Sequence, residues 1–128
     1  MTSSSSNKNV VYVEDNPANL KLVEQVLARI DGVKLYSAPN GIIGLNLAET
    51  YQPKLILLDI NLPGMDGYAI VKKIKESPDL RHIPVVAISA NAMPSDIEKG
   101  QQAGFDDYLT KPVDITQLLD VVNRYISA

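Results

Sequence analysis

The chain has 128 residues, of which 45% are hydrophobic, 21% charged and 5% aromatic, a length and balance that support one domain with one well-packed core. With no cysteine and a single histidine, disulfides, thiolate chemistry, cysteine-based zinc or iron–sulfur sites and multi-histidine metal sites are excluded. Twelve Lys and Arg against fifteen Asp and Glu give a net charge of −3, which favours neither direct nucleic acid binding nor an anionic membrane surface. No apolar run approaches the ~18 residues of a membrane span, so a cytoplasmic protein without membrane insertion is expected. The first eight residues are polar and Ser-rich, unlike a secretory signal, and read as a disordered tail ahead of a domain over 9–128. The first strand is expected at residues 10–13. Asn16-Pro17 then offers an N-cap and a proline for the first helical position, and Leu20, Val23, Leu27 and Ile30 recur at helical steps. After the Asp31-Gly32 turn, residues 33–36 read as a second strand, and Ile42, Leu45 and Ala48 mark a second helix after Asn40. Residues 55–58 form the third apolar run, followed by a helix carrying Ile70, Val71 and Ile74 that stops at Ser77-Pro78. The fourth run is 85–88, and the fifth and weakest is 108–109. Ser95 with Glu98 and Asp114 with Gln117 have the spacing of capping boxes that open a fourth and a fifth helix. The fifth helix carries Ile115, Leu118, Leu119, Val122 and Ile126. The fourth has little beyond Ile97 and Ala103 and is expected to be the most weakly held.

Strict alternation of short apolar strands with helices predicts an α/β fold built from right-handed βαβ units. Five of each fit a doubly wound, five-stranded parallel sheet of flavodoxin-like order 2-1-3-4-5. In such sheets ligands bind beyond the carboxyl ends of the strands, near the switch in strand order. The residues at those ends are therefore the informative ones. Glu14-Asp15 follow the first strand, Asp59 the third, Ser89 the fourth and Thr110-Lys111 the fifth. Each alone is an ordinary turn former, cap or surface residue; their arrival at one sheet edge is what carries a reading. Three clustered carboxylates repel, and a hard divalent cation such as Mg²⁺ offsets that repulsion through oxygen ligands. One carboxylate can then act as a nucleophile, with the cation and a lysine stabilising charge on a transferring phosphoryl group and the Ser89 hydroxyl contacting it.

Four stretches resemble the phospho-acceptor receiver domains of two-component response regulators. They are Val11-Tyr12-Val13-Glu14-Asp15-Asn16, the run from Leu57-Leu58-Asp59 to Asp66-Gly67, Ala87-Ile88-Ser89-Ala90, and Tyr108-Leu109-Thr110-Lys111-Pro112. The resemblance spans residues 9–126. It implies that Asp59 is phosphorylated and that Asp15, Asp59 and the backbone carbonyl of Asn61 hold Mg²⁺, with Glu14 acting mainly through water. It further implies that Ser89 and Lys111 contact the phosphoryl group, that Ser89 and Tyr108 form the switch, and that the peptide before Pro112 is cis. The expected partners are a sensor histidine kinase or phosphotransfer protein as donor, and a downstream protein at the fourth-helix and fifth-strand face. The stretches after Asn16 and around Ser89-Ala90-Asn91-Ala92-Met93 resemble receivers found alone or excised from hybrid kinases. A haloacid-dehalogenase-type phosphatase would need an acid where Asn61 stands. A flavodoxin-type carrier would need a phosphate loop where Glu14-Asp15-Asn16-Pro17 stands, and a degenerate receiver would lack part of the set. His82 reads as a loop residue rather than a phosphohistidine, and Asp96, Asp106 and Asp107 as solvated helix-start or loop acids.

Overall fold

Five strands alternate with five helices in the computed structural model, which describes residues 8–61, 66–90 and 93–127. In order these are β1 (Asn9–Val13), α1 (Pro17–Leu27), β2 (Lys34–Ala38), α2 (Gly41–Tyr51), β3 (Leu55–Asp59), α3 (Gly67–Glu76), β4 (Val85–Ser89), α4 (Pro94–Ala103), β5 (Asp107–Thr110) and α5 (Ile115–Ile126). The strands form one parallel sheet in the order β2-β1-β3-β4-β5, as the alternation predicts. Most of the tail expected over 1–8, the Leu62-Pro63-Gly64-Met65 turn and Asn91-Ala92 lie outside the described residues.

The sheet divides the core in two, because successive strand side chains point to opposite faces. Val11, Val13, Ile56, Leu58, Val85 and Ala87 pack under α2 and α3 with Ala48, Ile70, Val71 and Ile74. On the other face Val10, Tyr12, Leu55, Leu57, Val86 and Ile88 pack with Val23, Val26, Leu118 and Val122 from α1 and α5. Strands β3 and β4 are buried at every position, which is why they read as unbroken apolar runs. Side chains close the helix starts: Asn16 Oδ1 accepts from the amides of Ala18 and Asn19, Asn40 from Ile43, Asp66 from Tyr68 and Asp114 from Gln117.

Four expectations need correction. Ser95 is not a cap but lies inside α4, whose N-cap is Met93, without a side-chain cap bond. Pro94 suits the first helical position, since it has no amide to satisfy, and so the helix begins before Ser95. Helix α1 ends at Leu27 rather than reaching Ile30, because the amides of Arg29 and Ile30 turn back three residues, to Val26 and Leu27. Ile42 and Ile115 belong to helical apolar patterns yet are exposed, at 61% and 39%; both occupy the first turn of a helix, where the strand beneath has ended. Asp106 and Asp107 are not merely solvated acids. Asp106 Oδ2 accepts from Lys75 Nζ at 3.0 Å and from the Val85 amide at 2.8 Å, and Asp107 Oδ2 accepts from Arg124 Nη1 at 2.9 Å.

The start of α3 runs against the end of β3 with no space for a side chain between them. A Cβ on Gly67 would lie 2.8 Å from the Ile60 Cα, a backbone atom that cannot swing aside. Gly67→Ala is therefore expected to destabilise the protein by about 1–3 kcal/mol, read as a lower urea midpoint at unchanged slope.

Candidate functional site

The site forms because two neighbouring parallel strands end together. Val13 of β1 is in register with Leu58 of β3, so the residues that follow, Glu14 and Asp59, emerge side by side. The Glu14 amide still bonds the Ala38 carbonyl at 2.9 Å, which extends the sheet by one residue and holds this backbone in place. One carboxylate oxygen from each of Glu14, Asp15 and Asp59 lies within 4.8 Å of the others, with Glu14 and Asp59 buried and Asp15 exposed.

Lys111 is the cation that meets them. It follows β5, and its amide bonds the Ser89 carbonyl at 2.8 Å, while the Lys111–Pro112 peptide is cis. Its Nζ is 2.8 Å from Asp59 Oδ2 and 3.7 Å from Glu14 Oε1. The other Asp59 oxygen, Oδ1, accepts from the Asn61 amide at 2.9 Å. The buried Ser89 hydroxyl donates to Asn61 Oδ1 at 3.3 Å, linking the end of β4 to the turn after β3. Glu14 Oε1 accepts from the Tyr12 phenol at 2.8 Å and Oε2 from the Asn16 amide at 3.3 Å.

These surroundings set the proton affinity of Glu14. Burial raises its pKa above the ordinary 4.5, and the Asp59 carboxylate beside it raises it further; the bonds from Tyr12 and Asn16 pull the other way. The Tyr12 phenol is pushed upward as well, by burial first and then by its bond to Glu14. The donor set fits a hard divalent cation: three carboxylates lie together, two of them beside the Lys111 ammonium, the candidate ligands are oxygens, and one carboxylate opens to solvent.

The structure thus brings together Glu14, Asp15, Asp59, Asn61, Ser89 and Lys111. Tyr108 lies within β5, in register with Ala87, half-buried, its ring against Gly100 of α4. His82 is exposed in the loop between α3 and β4. Tyr12 was not singled out by sequence reasoning. Its signal was an aromatic with a polar tip two residues before Glu14, a spacing that puts both on one face of a strand.

Residues 10–123 match the response regulator receiver domain family. The polar-differentiation response regulator DivK of Brucella anthropi is 37% identical over 119 residues, spanning 93% of this chain and 96% of that protein. Among solved structures, the receiver domain of the sensor histidine kinase PA1611 from Pseudomonas aeruginosa, with a magnesium ion coordinated in its active-site cleft, has a TM-score of 0.84 at 34% identity, covering 95% of this chain and 99% of that one. The signal receiver domain of a signal transduction histidine kinase from Syntrophus aciditrophicus has a TM-score of 0.83 at 32% identity, covering 94% and 90%.

A carboxyl whose pKa rises on folding adds to stability below its unfolded value, and that contribution is lost as the pH climbs through the folded value. Glu14→Gln is therefore expected to raise the melting temperature of the metal-free protein at neutral pH. The gap to the parent should close as the pH falls toward 4.5, followed by circular dichroism.

Proposed function

Because the chain belongs to the response regulator receiver domain family, and so to two-component phosphorelay signalling, we propose that Asp59 is its phosphoryl acceptor. In the same reading Glu14, Asp15, Asp59 and the Asn61 carbonyl hold Mg²⁺, Glu14 through water. The observation that carries this is the Lys111 ammonium, 2.8 Å from a buried Asp59 carboxylate that stands beside two further acids. When bound, the cation supplies positive charge to the transferring phosphoryl oxygens.

The remaining chemistry belongs to the chain. An Asp59 oxygen attacks the phosphorus of a donor phosphohistidine; the new O–P bond forms as the P–N bond breaks, and the imidazole leaves with the electron pair. Before the reaction the Asn61 amide and Lys111 hold the two Asp59 oxygens, which orients the nucleophile without burying it unpaired. Afterwards the Lys111 ammonium turns to a phosphoryl oxygen, and the Ser89 hydroxyl rotates from Asn61 to another. Attack of water on the acyl phosphate resets the site. The amide of Asn61, two residues beyond Asp59, cannot protonate an ester leaving group, which favours a switch over a turnover phosphatase.

The partners in this reading are a sensor histidine kinase or phosphotransfer protein as donor and a downstream protein at the face of α4 and β5, in the cytoplasm, with no direct contact to nucleic acid. Helix α4 suits a moving part: its one buried residue is Gly100, and no side chain caps its start. Inward movement of Ser89 would be passed to Tyr108, whose ring rests on α4. Among the described residues no helix is long and apolar enough to cross a membrane.

Incubation of the parent with a small acyl phosphate and Mg²⁺ should add one phosphoryl group by intact-mass spectrometry. Asp59→Asn should take up none, and Lys111→Ala should be labelled roughly 10²-fold more slowly. Unchanged labelling of Asp59→Asn would overturn the assignment. A Cβ at Gly100 would lie 3.0 Å and 3.1 Å from two carbons of the Tyr108 ring. Gly100→Ala should therefore forgo the gain of about 1 kcal/mol that alanine brings to a helix interior. It should also shift the Tyr108 ring resonances without phosphate; a full gain in stability with a silent ring would mean that the contact does not constrain Tyr108.

A further inference from the structure

Tyr12 is fully buried in the layer between the sheet and α1 and α5, among Val10, Leu55, Leu57, Leu118 and Val122. Packing alone has no use for a hydroxyl there. That hydroxyl donates to Glu14 Oε1 at 2.8 Å. A second donor faces the same oxygen, for Lys111 Nζ stands 3.7 Å from Oε1 while it bonds Asp59 Oδ2 at 2.8 Å. Two buried carboxylates thus border one ammonium, and only one of them holds it at hydrogen-bond distance.

We propose that Tyr12 is a positioning residue, whose phenol satisfies Glu14 from the core side and so reserves the Lys111 ammonium for Asp59. The proposal deepens the reading of Asp59 as acceptor and rests on it. The physical reason is competition. A buried carboxylate oxygen without a donor is left with its desolvation uncompensated, and an ammonium is a stronger donor than a neutral group. Without the phenol, Oε1 would face an apolar layer on one side and Lys111 on the other. The void left by a lost hydroxyl among aliphatic side chains is poor in polar partners for a water. Lys111 is then the group that moves, and Asp59 loses the cation that stabilises charge at the transferring phosphoryl group.

The test compares the parent, Tyr12→Phe, Glu14→Gln and the double variant as full chains, with two readouts. The first is the position of Lys111 Nζ in crystal structures of the metal-free proteins. In Tyr12→Phe it should come within hydrogen-bond distance of Glu14 Oε1 and withdraw from Asp59; in the Glu14→Gln background the same change should leave it on Asp59. The second is the rate of phosphorylation by acetyl phosphate at saturating Mg²⁺. It should fall roughly tenfold, about 1.4 kcal/mol of transition-state stabilisation, on Tyr12→Phe alone. It should not change on Tyr12→Phe in the Glu14→Gln background. A merely structural role would slow both backgrounds alike, and that result, or Lys111 unmoved in Tyr12→Phe, overturns the proposal. Tyr12→Leu removes the hydroxyl with a different shape and should give the same displacement, which keeps the test intact if the Phe variant folds poorly. Should the parent take no phosphate, the reading of Asp59 falls, while the Lys111 positions still decide the role of Tyr12.

Discussion

The ion pair between Lys111 and Asp59 is the contact on which the carboxyl end of this sheet depends. Burial of a carboxylate is costly unless a charge or several donors meet it, and here two of them are buried side by side. Asp59 has an ammonium and a backbone amide; Glu14 has a phenol and a backbone amide. Each acid is thus satisfied by a different pair of donors, drawn from β1, the N-cap of α1, the turn after β3 and the end of β5. Asp15 is the exposed member of the three and, among the described residues, forms no ion pair. Three carboxylates with one oxygen each within 4.8 Å of the others form a cluster that could hold a metal ion.

The rest of the fold serves to bring those strand ends to one edge. Parallel pairing in the order β2-β1-β3-β4-β5 sets β1 and β3 next to each other although a whole βα unit separates them in sequence. The acids therefore come from distant parts of the chain, and Lys111 reaches them from the far edge strand. Core packing on both faces of β3 and β4 gives that edge a fixed base. The α4 side is different in kind, held by small residues and an aromatic ring rather than by a row of aliphatic side chains.

Much of this was legible in residue order. Unbroken apolar runs announced the central strands, because a strand covered on both faces has no reason to alternate. The acids at the strand ends were visible because open α/β sheets place their chemistry there. What escaped notice was whatever depended on a side chain's far end. Tyr12 reads as one more bulky core residue until its hydroxyl is seen to meet Glu14. Asp106 reads as a loop acid because its partners, Lys75 and the Val85 amide, are 31 and 21 residues away. Ser95 carried the right spacing for a cap and lost the position to the backbone constraint of its neighbour, Pro94. Local chemistry set those traps; tertiary geometry resolved them.

The Asp106 contact has a mechanical meaning. Through one carboxylate oxygen it ties the C-terminal part of α3 to the first amide of β4, next to the start of β5. The exposed ion pair itself contributes little, but the bond to the Val85 amide closes a strand-end donor. The amino ends of β4 and β5 are thereby pinned at the edge opposite to Ser89 and Lys111. A displacement at their carboxyl ends would meet this anchor at the far end of the same strands, four residues from Ser89 along β4 and five from Lys111 along β5.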